Sequence, residues 1–451
     1  MSGVPGNILW FIVAISVLVA VHEYGHYIVG RWCGIKVLRF SIGFGKPLVT
    51  WTGKGPDHTE YCISRIPLGG YVKFLDEREG SVDPEDVGRA FTHRPVSARI
   101  AVLLAGPLFN FLFAILAYWA LFIYGVPALK PAVGQVTDDS YASAAGLVHG
   151  DRIIAVGDRE ALDWETALLS MIDEMVEDGQ IPLRLQRESG GTRWATIDVG
   201  GDAARLTEPG LLFEGLGFVP WRPPAVIGSV EDDSPAAIGG IVAGDQISKI
   251  DGETVYGVYD LLRIIAERPN KTVPIEYLRD GRAATADVAL GTRERDGKTI
   301  GRLGASISGD FGDLRYDRQY GPITAIGEAV KQTWHTTAFT VRMLANMLTG
   351  NVSFKNISGP ISIAQYAGDS AAAGIDRFIK FLAVISISLG VLNLLPIPIL
   401  DGGQIVYQAI EWIKGSPLSM RSQLLGQQAG ILALLVLMSF AVFNDIARIF
   451  G

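Results

Sequence analysis

His22, Glu23 and His26 stand in the order H-E-x-x-H, with Tyr24 and Gly25 between them. On a helix, side chains four apart share a face, so both imidazoles can bind one metal ion, and zinc is the usual occupant of this pattern. Glu23, one residue along, can reach a water held by that ion and take its proton, which is the chemistry of hydrolysis. The string alone arises by chance in roughly 1% of chains this long at ordinary residue frequencies. Its surroundings carry more weight: residues 8–21 are apolar apart from Ser16, and Tyr27-Ile28-Val29 resume the run. An ionisable side chain inside a membrane span costs about 2.5–3.5 kcal/mol at the helix centre, so Glu23 between two histidines points to function. The structural alternative is a polar cluster that hydrogen-bonds neighbouring helices.

A catalytic zinc needs a third protein ligand and an open position. The other histidines, His58, His93, His149 and His335, fall outside the apolar stretches. An acidic residue at membrane depth would serve, and Asp401 is one, in Asn393-Leu-Leu-Pro-Ile-Pro-Ile-Leu-Asp401-Gly402-Gly403. The two prolines and two glycines predict a broken helix whose backbone lines a site. Two neutral imidazoles, a carboxylate ligand, a carboxylate base and Zn²⁺ sum to zero, which low dielectric tolerates only when the metal is present. The alternative for Asp401 is a helix cap at the membrane surface.

The elements that hold these residues follow from the distribution of apolarity. Of 451 residues 49% are hydrophobic and 19% charged, against about 25% charged in typical soluble chains. The net charge of −8 excludes a nucleic-acid binder with a basic surface, and Cys33 and Cys62 are too few for a disulfide framework or a paired-cysteine zinc site. Apolar stretches near 8–29, 101–126, 378–400 and 424–444 predict four transmembrane helices. The first lacks the basic start and small-residue cleavage site of a signal peptide. Residues 31–99 hold 11 Lys and Arg while the residues before 8 hold none, which places the N-terminus outside. The segment between the second and third helices is then outside too, and 131–310 holds 30 acidic against 17 basic residues.

That segment repeats with an offset of 94: Val136 to Ser140, Gly146-Leu147 and Gly150-Asp151-Arg152-Ile153 align with Val230 to Ser234, Gly240-Ile241 and Gly244-Asp245-Gln246-Ile247. Both copies resemble PDZ domains of periplasmic proteases. Each ends in a predicted strand, Gly215-Leu216-Gly217-Phe218 and Leu303-Gly304-Ala305. The resemblance makes Leu216, Gly217 and Phe218, and Leu303, Gly304 and Ala305, loops whose amides receive a peptide carboxylate, so C-terminal peptides become candidate partners. Their place at the end of each unit implies a circular permutation; an ordinary strand with a close-packed glycine is the alternative.

Residues 36–74 are rich in strand formers and glycines, including Gly43, Phe44 and Gly45. This stretch reads as a small sheet folded against the membrane, and if the site hydrolyses a bond within a membrane helix, the sheet's edge can hold that bond extended as an added strand. A plain loop is the alternative. Residues 323–348 space Ile326, Val330, Trp334, Val341, Leu344 and Leu348 along one face, which suits a helix at the membrane surface or one packed beneath the second module.

The H-E-x-x-H in the first span, the N-x-x-P-x-P-x-L-D-G late in the chain and the PDZ-like copies between them resemble the site-2 protease family of intramembrane zinc metalloproteases. The resemblance runs essentially end to end. It implies one zinc per chain on His22, His26 and Asp401, with Glu23 as general base, Asn393 positioning substrate, and Gly106 and Asn110 as the family's glycine and asparagine of the second span. It implies single-pass membrane substrates, an anti-sigma factor and remnant signal peptides among them, no nucleic acid, and PDZ modules that admit only trimmed substrates. It also implies the inner membrane of a bacterium, with the modules periplasmic and the site near the cytoplasmic face. Tyr24 departs from the family's commoner phenylalanine. A membrane-anchored scaffold with structural zinc and a zinc transporter are the competing functions.

The expected fold is thus an α-helical membrane protein with four transmembrane helices, a membrane-associated β element and two tandem, circularly permuted PDZ-like α+β domains. The expected divisions are 1–126, 127–220, 221–309, 310–350 and 351–451.

Overall fold

The computed structural model describes residues 4–78, 80, 82–187, 190–295 and 298–450. It forms two compact units, Met1–Val126 with Asp317–Gly451, and Pro127–Tyr316.

The first unit is built from α1 (Val4–Trp32), β1 (Val37–Thr52), β2 (Glu60–Phe74), α2 (Val96–Tyr124), α3 (Pro322–Thr349), α4 (Pro360–Ala373), α5 (Ile375–Asn393), α6 (Asp401–Lys414) and α7 (Met420–Phe450). Among the described residues three helices, α1, α2 and α7, are long and apolar enough to cross a membrane. The stretch expected as a third span is shorter: α5 ends at Asn393, and Asp376, Arg377 and Lys380 lie in its first turns. Residues 394–400, expected within that span, leave the helix because Pro396 and Pro398 cannot supply the amides that would continue it.

Small residues set how closely these helices approach. A Cβ on Gly25 of α1 would run into the Ala105 carbonyl of α2, and one on Gly390 of α5 would lie 3.0 Å from the Phe111 ring. The Ser386 hydroxyl donates to the Asn110 carbonyl at 2.9 Å. The amphipathic helix α3 turns Ala325 and Ala329 into a core with Ala114, Tyr118, Ala383 and Ile387, where Leu344 also packs. Met347 is buried and Phe339 and Met343 half-buried, while Ile323, Ile326, Val330, Trp334, Val341 and Leu348 are exposed.

β1 and β2 form a bent antiparallel pair in which Phe40 faces both Val72 and Tyr61, and Ser41 both Tyr71 and Cys62. The bends fall where glycine can take positive φ, at Gly43 (89°), Gly45 (88°) and Gly69 (120°). Among the described residues the outer arm of β2, residues 70–74, pairs with β1 alone.

The second unit contains the repeat. Its first module carries a four-stranded sheet in the order Arg159–Glu160, Arg152–Val156, Gln180–Gln186, Thr192–Asp198, with the helix Trp164–Asp178 and the pair Val133–Val136 and Phe218–Pro220. The second has a six-stranded sheet running from Arg282–Ala289 through Thr272–Arg279, Gln246–Ile250 and Ala225–Val230 to Ala305–Ser308, with Glu253–Thr254 on Gln246–Ile250. The same contacts occur twice at the offset of 94. Ser140 and Ser234 cap short helices by accepting from the Ser143 and Ala237 amides. Asp151 and Asp245 accept from the Val148 and Val242 amides. The ends of the modules differ from the expected strands: Gly215 and Leu216 close a short helix, Leu211–Leu216, whose left-handed cap is Gly217. The strand begins only at Phe218 in one copy and Ala305 in the other.

Candidate metal centre and active site

Asp401 is the first residue of α6, and the turn before it brings the carboxylate back to α1. A Cβ on Gly402 or Gly403 would run into the Leu394 or Ile397 carbonyl, so the glycine pair is what lets the chain reverse so tightly. Asp401 Oδ2 then lies 3.2 Å from His22 Nε2 and 3.5 Å from His26 Nε2. The two Nε2 atoms are 3.2 Å apart.

These spacings test whether the residues fit a metal. Ligands held at about 2.0–2.1 Å by a tetrahedral zinc stand roughly 3.3 Å from one another, as the three atoms here do. Both rings are turned the right way for it. His26 Nδ1 donates to the Val102 carbonyl at 2.8 Å, which leaves Nε2 with its lone pair. The atom of Asn110 that lies 3.2 Å from His22 Nδ1 is the amide nitrogen, and its Oδ1 is buried without a partner among the described residues; turning the carboxamide over would satisfy that oxygen with the Nδ1 proton and leave Nε2 facing the centre. Among the described residues no fourth histidine, cysteine or acid joins this group, so the donor set fits a zinc with an open position.

The open side is a cavity of about 450 Å³ lined by His22, His26, Asp401, Glu23, Gly70 and Val72. Glu23 faces the Val72 backbone amide, on the outer arm of β2. Gly70 makes that approach possible, since a Cβ there would lie 2.7 Å from the Ser41 carbonyl and 3.1 Å from Glu23 Cγ. A Cβ on Gly106 would collide with His26 Nε2 and lie 2.7 Å from His22 Cε1.

The chain thus brings His22, Glu23, His26, Asp401, Gly106 and Asn110 together. Gly43 and Gly45 lie at the bend of β1, where Phe44 stacks on Tyr71 at 6.3 Å. Asn393 ends α5 half-buried and does not line the cavity. Leu216, Gly217, Phe218, Leu303, Gly304 and Ala305 belong to the second unit. Three site residues are absent from the sequence reading: Gly70, Val102 and Gln404, the last on the cavity wall one turn beyond Asp401. Only Gly70 left a signal, the doublet Gly69-Gly70 inside a strand, which marks a close backbone approach.

A metal-ligand trio, a carboxylate and a strand edge in one cavity of a unit with span-length apolar helices define a membrane metallohydrolase. The sequence profile of peptidase family M50 matches residues 10–437, and the chain belongs to that family. It is 40% identical to the regulator of sigma-E protease RseP of Salmonella typhimurium over 100% of both chains. It is 39% identical to RseP of Escherichia coli over 98% of this chain and 100% of that one, and 37% identical to protease RseP of Yersinia pestis over the same shares. The PDZ domain of an SdrC-like protein from Listeria monocytogenes is 28% identical over 19% of this chain and 87% of that domain, at a TM-score of 0.17, too small a likeness to bear on the fold. This protein is a zinc metalloprotease of the M50 family.

Proposed function

We propose that this protease cuts transmembrane segments of single-pass membrane proteins, with His22, His26 and Asp401 holding the zinc and Glu23 as general base. The observation that carries this reading is the near-tetrahedral spacing of the three ligand atoms beside Glu23. Zinc, when bound, supplies Lewis acidity toward water and the scissile carbonyl. Glu23 takes the proton of the attacking water and returns it to the leaving nitrogen, as a base one residue from a ligand can do. Val102 and Asn110 hold the two rings in the tautomer the site needs, and Gly106 leaves room for them.

The substrate is unwound by pairing with the 70–74 arm of β2, whose outer edge has no strand partner among the described residues. Gly43, Phe44 and Gly45 shape the bend that presents the arm, and Asn393 contacts the bound segment. The exposed apolar face of α3 rests at the membrane surface.

α5 is the third of four spans, its charged first turns lying at the membrane boundary. The N-terminus and the repeat are periplasmic, and the site opens near the cytoplasmic face of a bacterial inner membrane. The two modules, dividing near residue 220, are permuted PDZ domains that gate access, with Leu216, Gly217 and Phe218, and Leu303, Gly304 and Ala305, at their carboxylate loops. The names of the relatives suggest a sigma-E pathway, which makes an anti-sigma factor a candidate substrate and remnant signal peptides a second class.

The test is cleavage of a transmembrane peptide by the reconstituted enzyme and by Glu23→Gln. Loss of cleavage with zinc content retained is expected; equal rates would remove Glu23 as the base.

A further inference from the structure

Gln404 follows Asp401 by three residues on α6, so the two side chains share a face, and Gln404 stands in the wall of the catalytic cavity with His22, Glu23, His26 and Asp401. Its amide nitrogen donates to the Pro398 carbonyl at 2.8 Å. That bond settles which way the carboxamide points, since the reverse orientation would set oxygen against oxygen. The carboxamide oxygen is left with no hydrogen-bond partner among the described residues, and it is not one of the polar atoms shut away from solvent. One end of this half-buried side chain is thus anchored to the turn before Asp401, and the other is an open, uncharged acceptor.

The other polar side chains of that wall are engaged or unsuited to receive an amide. His22, His26 and Asp401 face one another around the metal position. Asp76 takes the Arg78 backbone amide at 2.9 Å and the guanidinium at 2.6 Å, and the Tyr71 hydroxyl accepts from Arg39 at 3.3 Å. Lys73 can only donate. An extended segment, however, needs a further acceptor. Successive residues of a strand turn their main-chain N–H and C=O to opposite sides, so a segment added to the 70–74 arm pairs with it at every second residue. The amides between face away from the arm, and an N–H left unpaired there costs free energy. A neutral acceptor meets one without burying a further charge. Gln404 is about 4.5 Å along α6 from Asp401 at 1.5 Å per residue, and a strand advances about 3.3 Å per residue, so the acceptor falls within about two residues of the scissile bond.

We infer that Gln404 is a substrate-binding residue whose carboxamide oxygen accepts a main-chain N–H of the bound segment, on the side turned away from the 70–74 arm and close to the scissile bond. The inference rests on the proposed reading of this cavity as the proteolytic site and of the substrate as an added strand. In an intact helix that N–H is bonded to the carbonyl four residues earlier, so only an unwound segment presents it. Gln404 therefore favours the extended state of the substrate. Because the contact is with the main chain, it does not depend on the side chain at that position.

The experiment uses the full-length enzyme reconstituted with transmembrane peptides in which one main-chain N–H at a time is exchanged for an ester oxygen. The three nearest linkages on either side of the scissile bond are scanned, and that bond itself stays an amide. At one position the exchange should lower kcat/KM of the wild type by about three- to tenfold, the range of a single hydrogen bond. Gln404→Leu should cleave the amide and ester peptides of that position at nearly equal rates, respond like the wild type at the others, and keep about one zinc per chain. Each ratio is internal to one enzyme, so incomplete folding of the variant does not alter it. If both enzymes respond alike at every position, or if Gln404→Leu loses its zinc, the residue serves the turn at Pro398 and the inference is overturned. A wild type indifferent to every ester would instead remove the added strand on which the inference rests, and equal cleavage by wild type and Glu23→Gln would remove the reading of the cavity.

Discussion

Gly106 of α2 and His26 of α1 are so close that a single methyl group on the glycine would displace the imidazole. The absence of a side chain at 106 is therefore a condition for the ring positions of the proposed metal site. Gly106→Ala should weaken zinc binding by about 10- to 100-fold, the range for residues that orient ligands. Competition with a chelator on the purified enzyme measures it; unchanged affinity would reduce Gly106 to a packing residue.

Gly70 governs the other carboxylate. A valine there meets the Ser41 carbonyl, Val19 and Glu23 at once, while His22, His26 and Asp401 are not among its nearest neighbours. Gly70→Val should lower kcat at least tenfold, roughly the loss from misplacing a general base, with zinc content near one per chain. Zinc loss in parallel with activity would contradict this separation.

At the far end of the unit Asp445 of α7 caps α4, accepting from the Gly359, Ile361 and Ser362 amides at 2.9–3.1 Å and from the Ser362 hydroxyl at 2.6 Å. Asp445→Ala leaves these buried donors unpaired, and should cost about 1–3 kcal/mol. Hydrogen exchange should report the loss as faster exchange in the first turn of α4; unaltered protection there would count against the cap.

In the second module Asp245, fully buried, takes two hydrogen bonds from Arg279, each 2.7 Å. Those bonds hold its carboxyl below the ordinary value of 3.8. A depressed folded value means the stabilisation is complete above pH 3.8 and is lost as pH falls through the folded value. Arg279→Met should destabilise the module by about 3 kcal/mol at neutral pH, the low end for a broken buried pair because the guanidinium is partly exposed. Faster exchange of the Val242 amide at pH 7, with the difference from wild type shrinking in strong acid, is the expected signature; a pH-independent difference would exclude the ion pair as its cause.

Much of this was legible in one dimension. H-E-x-x-H, three of the four apolar stretches and the offset of 94 are local or periodic patterns that local sterics and burial convert directly into helices and repeated units, whereas the stretch near 378–400 ends as a helix at Asn393. Asp401 was also within reach, because a carboxylate at membrane depth is costly unless something binds it. The tertiary structure decided what no spacing encodes. Gly70 lies against Glu23 across 47 residues of chain and Gly106 against His26 across 80, and Arg99 meets Glu411 across 312. Such meetings depend on how closely α1, α2, α6 and the sheet pack. The residue types were all in the sequence; which of them face one another was set by packing.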